Sequence, residues 1–153
     1  MDYDLQKETR VWERIRGAGD ERRGGAEAEE LQSLVRDELA DACAYRTLAA
    51  CLPPKERRCL LSIAKDESRH AKTLAAMYFL LQGRRLCPEP PPRLCVTCLC
   101  EELRKHYRGE LAGAEAYEAF AKRAGEFAPQ ITCIAADERR HAQTILRLLQ
   151  MLL

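Results

Sequence analysis

The sequence predicts an all-α protein, a four-helix bundle of two helix hairpins joined by a Pro-rich crossover, with a short N-terminal helical extension. Three features predict it. Apolar residues recur at helical spacing through four long segments rich in Ala, Glu, Leu and Arg, the strong helix formers. These segments are broken at Pro53-Pro54, at Pro88, Pro90, Pro91 and Pro92, and between Gly125 and Pro129, residue types that interrupt a helical hydrogen-bond ladder or free the chain to turn. The two halves are also an internal repeat: RDELADACAYRTLA at 36–49 aligns with RGELAGAEAYEAFA at 108–121, an offset of 72.

The N-terminal extension covers residues 1–25. Leu5, Val11, Trp12 and Ile15 give it a weakly amphipathic pattern that predicts a short helix, and Gly17, Gly19 and Gly24-Gly25 predict a flexible link behind it. Such a segment would cover one end of the core or contact a second subunit. The bundle domain covers residues 26–153. Its first helix starts at Ala26 and carries the stripe Leu31, Leu34, Glu38, Ala42, Tyr45, Ala49 and Leu52 up to Pro53-Pro54. The second runs from Lys55 to Gln82, with Gly83 as its C-cap. Arg84 to Arg93 is the crossover. The third helix carries Val96, Leu99, Leu103, His106, Glu110, Ala114, Tyr117 and Ala121, and the fourth follows the Gly125–Pro129 turn.

Two copies of D-E-x-R-H point to the chemistry. Asp66-Glu67-Ser68-Arg69-His70 is echoed by Asp137-Glu138-Arg139-Arg140-His141 at an offset of 71. A Glu and a His at i and i+3 share one helix face, close enough to grip one ion. Both pairs fall inside an apolar stripe rather than opposite it. Ile131, Ile134, Ala135, Ala142, Ile145, Leu148, Leu149 and Leu152 frame Glu138 and His141, and Leu60, Ile63, Leu74, Tyr78 and Leu81 frame Glu67 and His70. Ionised carboxylates on a buried face are costly unless paired or bound to metal. The repeat adds Glu38 and its mate Glu110, also within apolar stripes. Glu38 lies 15 residues before Pro53, and Glu67 lies 13 after Pro54. At about 1.5 Å rise per residue, an antiparallel hairpin sets both at one level. Glu110 and Glu138 straddle their turn similarly, so six groups converge on one layer.

One Glu from each of two helices plus Glu-x-x-His from each of the other two is the ligand set of carboxylate-bridged di-iron and di-manganese bundles. On these residues the chain resembles the rubrerythrin and bacterioferritin branch of the ferritin-like superfamily, over residues 26–153. The resemblance implies a ferritin-like bundle holding two Fe ions, with Mn as the alternative, since both accept carboxylate and imidazole ligands. Glu67 and Glu138 would bridge the metals. Glu38 and His70 would complete one position, and Glu110 and His141 the other. Asp66 and Asp137 would each accept a hydrogen bond from the metal-binding His of the opposite hairpin. Tyr45 and Tyr117 would hydrogen-bond ligand carboxylates beside the metals, or simply pack the core. The implied activity is a rubrerythrin-type peroxidase, an oxidoreductase reducing hydrogen peroxide or O2 with electrons from an external donor protein such as a rubredoxin. Alternatives are a ferroxidase that handles iron, an O2-activating di-metal oxidase, and a bundle that uses the ligands structurally. The expected assembly is a homodimer.

Three departures bear on the likeness. Rubrerythrins carry a further Glu three residues after the third-helix ligand, where this chain has Gly113; the repeat mate is Asp41, which becomes a possible extra ligand or else a solvated aspartate. Gly113 costs the helix about 1 kcal/mol relative to Ala and would open a pocket beside the metals. The CxxC knuckles of a rubredoxin module are missing, so electrons would come from another protein. Cys87, Cys95, Cys98 and Cys100 match no zinc or iron–sulfur spacing and read as free thiols, with a soft-metal or redox-disulfide role as the other reading. Cys43, Cys51, Cys59 and Cys133 read as small core residues, and His106 as a partly buried histidine without a ligand role.

Composition bounds the rest. Charged residues make up 32% with a net charge of +1, which gives no bulk electrostatic case for nucleic acid or a membrane surface. No apolar run approaches the roughly 20 residues of a membrane span, and the polar start MDYDLQKETR has no signal-peptide pattern. Eight cysteines without such a signal predict a reducing compartment. The expected location is cytoplasmic.

Overall fold

A computed structural model describes residues 21–153, so the helix expected near Leu5 to Ile15 lies outside the described residues. The described chain is all-α: α1 (Glu21–Ala50), α2 (Pro54–Gln82), α3 (Leu99–Ala121) and α4 (Ala128–Leu152), with a single 3-10 turn at Gly125–Phe127. No helix among them is long and apolar enough to cross a membrane.

Local chemistry sets the ends. Pro54 occupies the first turn of α2, where its missing N–H costs nothing. Gly83 closes α2 in the left-handed conformation at φ 66°, donating its N–H to the Phe79 carbonyl at 2.8 Å. Two starts differ from the sequence expectation. α1 begins at Glu21 rather than Ala26, so Gly24 and Gly25 lie in its first turns; the flanking Glu, Arg and Ala residues offset the glycines' cost. α3 begins at Leu99, which leaves Val96 in the crossover, where it still packs on the core.

α1 packs on α2, and α3 on α4, as two hairpins. Tyr45 of α1 reaches Glu110 of α3, and Tyr117 of α3 reaches Glu38 of α1, which makes those helices antiparallel. His70 to Asp137 and His141 to Asp66 do the same for α2 and α4. The second and third helices therefore run parallel, and the crossover, residues 83–98, must travel the length of the bundle. Its side chains record that path. Leu86 packs on the core cluster containing Leu31, Leu74 and Ile131, whereas Leu94 and Val96 pack on the cluster containing Leu48, Leu60 and Ile145. On every helix the ligand-type residues fall between these two clusters, so the apolar core is split by one polar layer.

Of the four cysteines read as core residues, Cys51 and Cys133 are exposed and Cys43 is half-buried, off the inward stripes of their helices, whereas half-buried Cys59 packs against the core cluster containing Leu60 and Ile63. Leu152, at the end of the predicted α4 stripe, is exposed too.

Candidate metal centre

All six predicted ligands are buried: Glu38, Glu67, His70, Glu110, Glu138 and His141. They form two groups, Glu38–Glu67–His70–Glu138 and Glu67–Glu110–Glu138–His141, in each of which the ligand atoms lie within 4.8 Å of one another. Glu67 and Glu138 belong to both. The i, i+3 spacing on α2 and α4 and the level matching of the hairpins place them so.

Both imidazoles point Nδ1 inward. His70 Nδ1 lies 3.2 Å from Glu38 Oε2, 3.1 Å from Glu67 Oε2 and 3.3 Å from Glu138 Oε1. His141 Nδ1 lies 2.8 Å from Glu67 Oε1 and 3.3 Å from Glu110 Oε2. The outer nitrogens face the aspartates of the opposite hairpin: His70 Nε2 is 3.0 Å from Asp137 Oδ2, and His141 Nε2 is 3.3 Å from Asp66 Oδ2. Tyr45 O–H donates to Glu110 and Tyr117 O–H to Glu38, one terminal carboxylate each.

The arginines of the repeated motif join this network, a role that sequence reasoning left unassigned. Arg69 spans Asp66 at 3.0 Å and Asp137 at 2.7 Å, and Arg140 bridges the same two aspartates from the other side. The signal was present, since both copies of D-E-x-R-H place Arg at the same point. Burial alone would raise the two aspartates. His141, Arg69 and Arg140 around Asp66, and His70 and Arg140 around Asp137, outweigh it and hold both below the usual carboxylate range.

Inside the layer the balance differs. Burial pushes Glu67 up to about 7 and Glu138 up to about 9, against the pull of the histidines. Burial opposes charge on the imidazoles as well, but the surrounding glutamates win, raising His70 to about 12 and His141 to about 10. Glu38 is lowered, its burial outweighed by hydrogen bonds from His70, Glu67 and Tyr117. Burial and the adjacent carboxylates hold both tyrosine hydroxyls protonated, above their ordinary value.

Among the described residues, four buried side-chain atoms have no aligned hydrogen-bond partner: Glu67 Oε1, Glu110 Oε2, Glu138 Oε1 and His141 Nδ1. Orphaned buried polar atoms cost on the order of 1–3 kcal/mol each. Here all four belong to the two ligand groups, and a cation coordinated by them would remove that cost. The donor set, carboxylate oxygens with one imidazole per group, fits a hard or borderline divalent ion.

The remaining predicted residues fall outside the cluster. Asp41 belongs to neither ligand group; its side chain is 48% exposed, and its Oδ1 lies 3.3 Å from His106 Nδ1. The helix turns it off the inward face that Glu38 shares. The opening expected at Gly113 is filled, because a Cβ there would meet Glu138 Oε2 at 3.1 Å. A surface groove instead reaches the edge of His141, lined in part by Ile63, Asp66, Arg140 and Leu148. No cysteine joins a metal-ligand group among the described residues. In comparisons with known proteins, no family model, no curated protein and no solved structure matches this chain.

Proposed function

We propose that the protein is a di-iron oxidoreductase of rubrerythrin type, reducing hydrogen peroxide with electrons from an external donor protein. The sharing of Glu67 and Glu138 between two ligand groups carries this reading. Two adjoining positions with common bridging carboxylates are what a pair of divalent ions requires. When bound, the ions would supply a two-electron change at a single site.

The chain's own residues do the rest. Glu67 and Glu138 belong to both ligand groups and would serve both positions, Glu38 and His70 would hold one, and Glu110 and His141 would hold the other. Ionised Asp66 and Asp137 accept from the Nε2–H groups, which with a metal bound would fix the tautomer and turn each Nδ1 lone pair inward. Tyr117 and Tyr45 each engage Oε1 of a terminal carboxylate, so that Oε2 faces the Nδ1 of His70 at Glu38 and of His141 at Glu110. The apolar clusters on either side keep bulk water from the layer. Peroxide rather than O2 as substrate, iron rather than manganese, and a rubredoxin-like donor rest on the resemblance of the ligand pattern.

The test is metal analysis of anaerobically purified protein, followed by rapid mixing of the reduced form with peroxide and, separately, with O2. Two irons per chain and faster oxidation by peroxide are expected. Faster oxidation by O2 would replace the peroxidase with a ferroxidase or oxidase. Glu67→Ala should abolish binding at both positions, whereas Glu38→Ala should weaken one. Retention of two tightly held metals by Glu67→Ala would overturn the bridging assignment.

A further inference from the structure

The internal repeat makes the two halves of the ligand layer near-equivalent, and the structure breaks that equivalence on one side. Tyr45 and Tyr117 are repeat mates, and each donates to the terminal carboxylate of the other hairpin. Their surroundings differ. His106 lies tilted against the Tyr45 ring, with centroids 4.8 Å apart and planes at 48°. His106 Nδ1 in turn lies 3.3 Å from Asp41 Oδ1. At the offset of 72, the mate of His106 is Leu34 and the mate of Asp41 is Gly113. The position beside Tyr117 is therefore aliphatic, in the same apolar cluster as that ring.

Asp41 precedes Tyr45 by one turn of α1, and His106 precedes Glu110 by one turn of α3. Two side-chain contacts cross between these turns, Asp41 to His106 and Tyr45 to Glu110, and His106 braces the ring of the second. Turning a buried tyrosine ring leaves its hydroxyl oxygen in place but swings the O–H, which lies close to the ring plane, so the plane that His106 braces sets the direction in which Tyr45 donates. It donates to Glu110 Oε1. Oε2 is left unpartnered, 3.3 Å from His141 Nδ1.

We propose that His106, held by Asp41, is a positioning residue for the Glu110–His141 half of the metal site and acts through Tyr45. The two metal positions are then inequivalent, the Glu110 position being the better preorganised and the first to fill. This inference rests on the di-metal reading above.

The two failures are separable by anaerobic Fe(II) titration. In the Glu38→Ala background only the Glu110 position is intact, and in the Glu110→Ala background only the Glu38 position. His106→Leu, which installs the repeat mate, should weaken Fe(II) binding by about 10-fold in the first background, the low end for an outer partner of a ligand. It should leave the second background unchanged. Asp41→Asn, at a half-exposed position that folding tolerates, should give a smaller loss confined to the same background. With Tyr45→Phe already present, His106→Leu should add no further loss. Equal losses in both backgrounds, or none in either, would overturn the positioning role while the metal site stands. A wild-type chain that binds no Fe(II) would overturn both readings together.

Discussion

Gly113 lies close against the Glu138 carboxylate: an added Cβ would lie 3.1 Å from Oε2, so the carboxylate would have to shift by a few tenths of an ångström. In the metal-free protein that carboxylate is the end of a flexible side chain and can give way. Once coordinated it could not. Gly113→Ala is therefore expected to raise metal-free stability, by up to about 1 kcal/mol from helix propensity, while weakening metal binding. Thermal melts with and without Mn(II) check this, and a variant improved in both states would show that Glu138 is not fixed by a metal. The contrast with neighbouring residues shows what one sequence makes legible. The six buried residues that could hold metal were readable because the repeat sets them at matching spacing within apolar stripes. Which of the two readings of Asp41 holds, ligand or solvated aspartate, was not legible, and the His106–Tyr45 contact was missed, because both depend on side-chain directions across α1 and α3, which helical periodicity does not specify. Arg69 and Arg140 reach across hairpins in the same way.

The elements themselves were legible wherever proline and glycine punctuate them, as at Pro53-Pro54 and Gly83. The start of α1 was not, since Gly24-Gly25 reads as a link yet remains helical between good helix formers. The start of α3 was displaced because Val96 continues its apolar spacing without continuing its helix. The crossover is the element on which topology turns. Because α2 and α3 run parallel, residues 83–98 must cover the length of α2, whose 29 residues correspond to about 43 Å. Fully extended, those 16 residues reach about 53 Å, a small margin. Deleting eight of them leaves at most about 29 Å, too short to reach, so such a variant should lose cooperative unfolding or exchange hairpins between chains. Inserting four Gly/Ser residues should cost less than about 0.6 kcal/mol, since closure entropy grows slowly with loop length. Chemical denaturation and the elution volume of both variants decide the matter. A deletion variant that unfolds like the parent as a monomer would contradict the parallel arrangement.

At the scale of the whole molecule, one buried layer of four carboxylates and two imidazoles makes stability a function of pH and of metal together. Glu67 and Glu138 are raised in the folded chain from 4.5 to about 7 and about 9. His70 and His141 are raised from 6.5 to about 12 and about 10. A raised folded value means that the native state holds the proton more tightly than the unfolded chain does. The stability it contributes is fully present below the unfolded value and is lost as pH rises through the folded one. Glu38, Asp66 and Asp137 are lowered and act in the opposite sense, losing their contribution only as pH falls below the ordinary carboxylate range. The metal-free protein should thus be most stable near about pH 5 and should weaken steadily toward about pH 9. Metal binding needs the same groups deprotonated, so it releases protons and strengthens as pH rises. The melting temperatures of metal-free and Mn(II)-loaded protein should therefore diverge with increasing pH, the first falling while the second holds or climbs. Melts across that range in a low-salt buffer series, with a chelator in the metal-free arm, measure the gap directly. Metal-free stability that rises between about pH 5 and about pH 9 would mean that these six side chains do not share one water-poor layer, and the metal site built from them would fall with it.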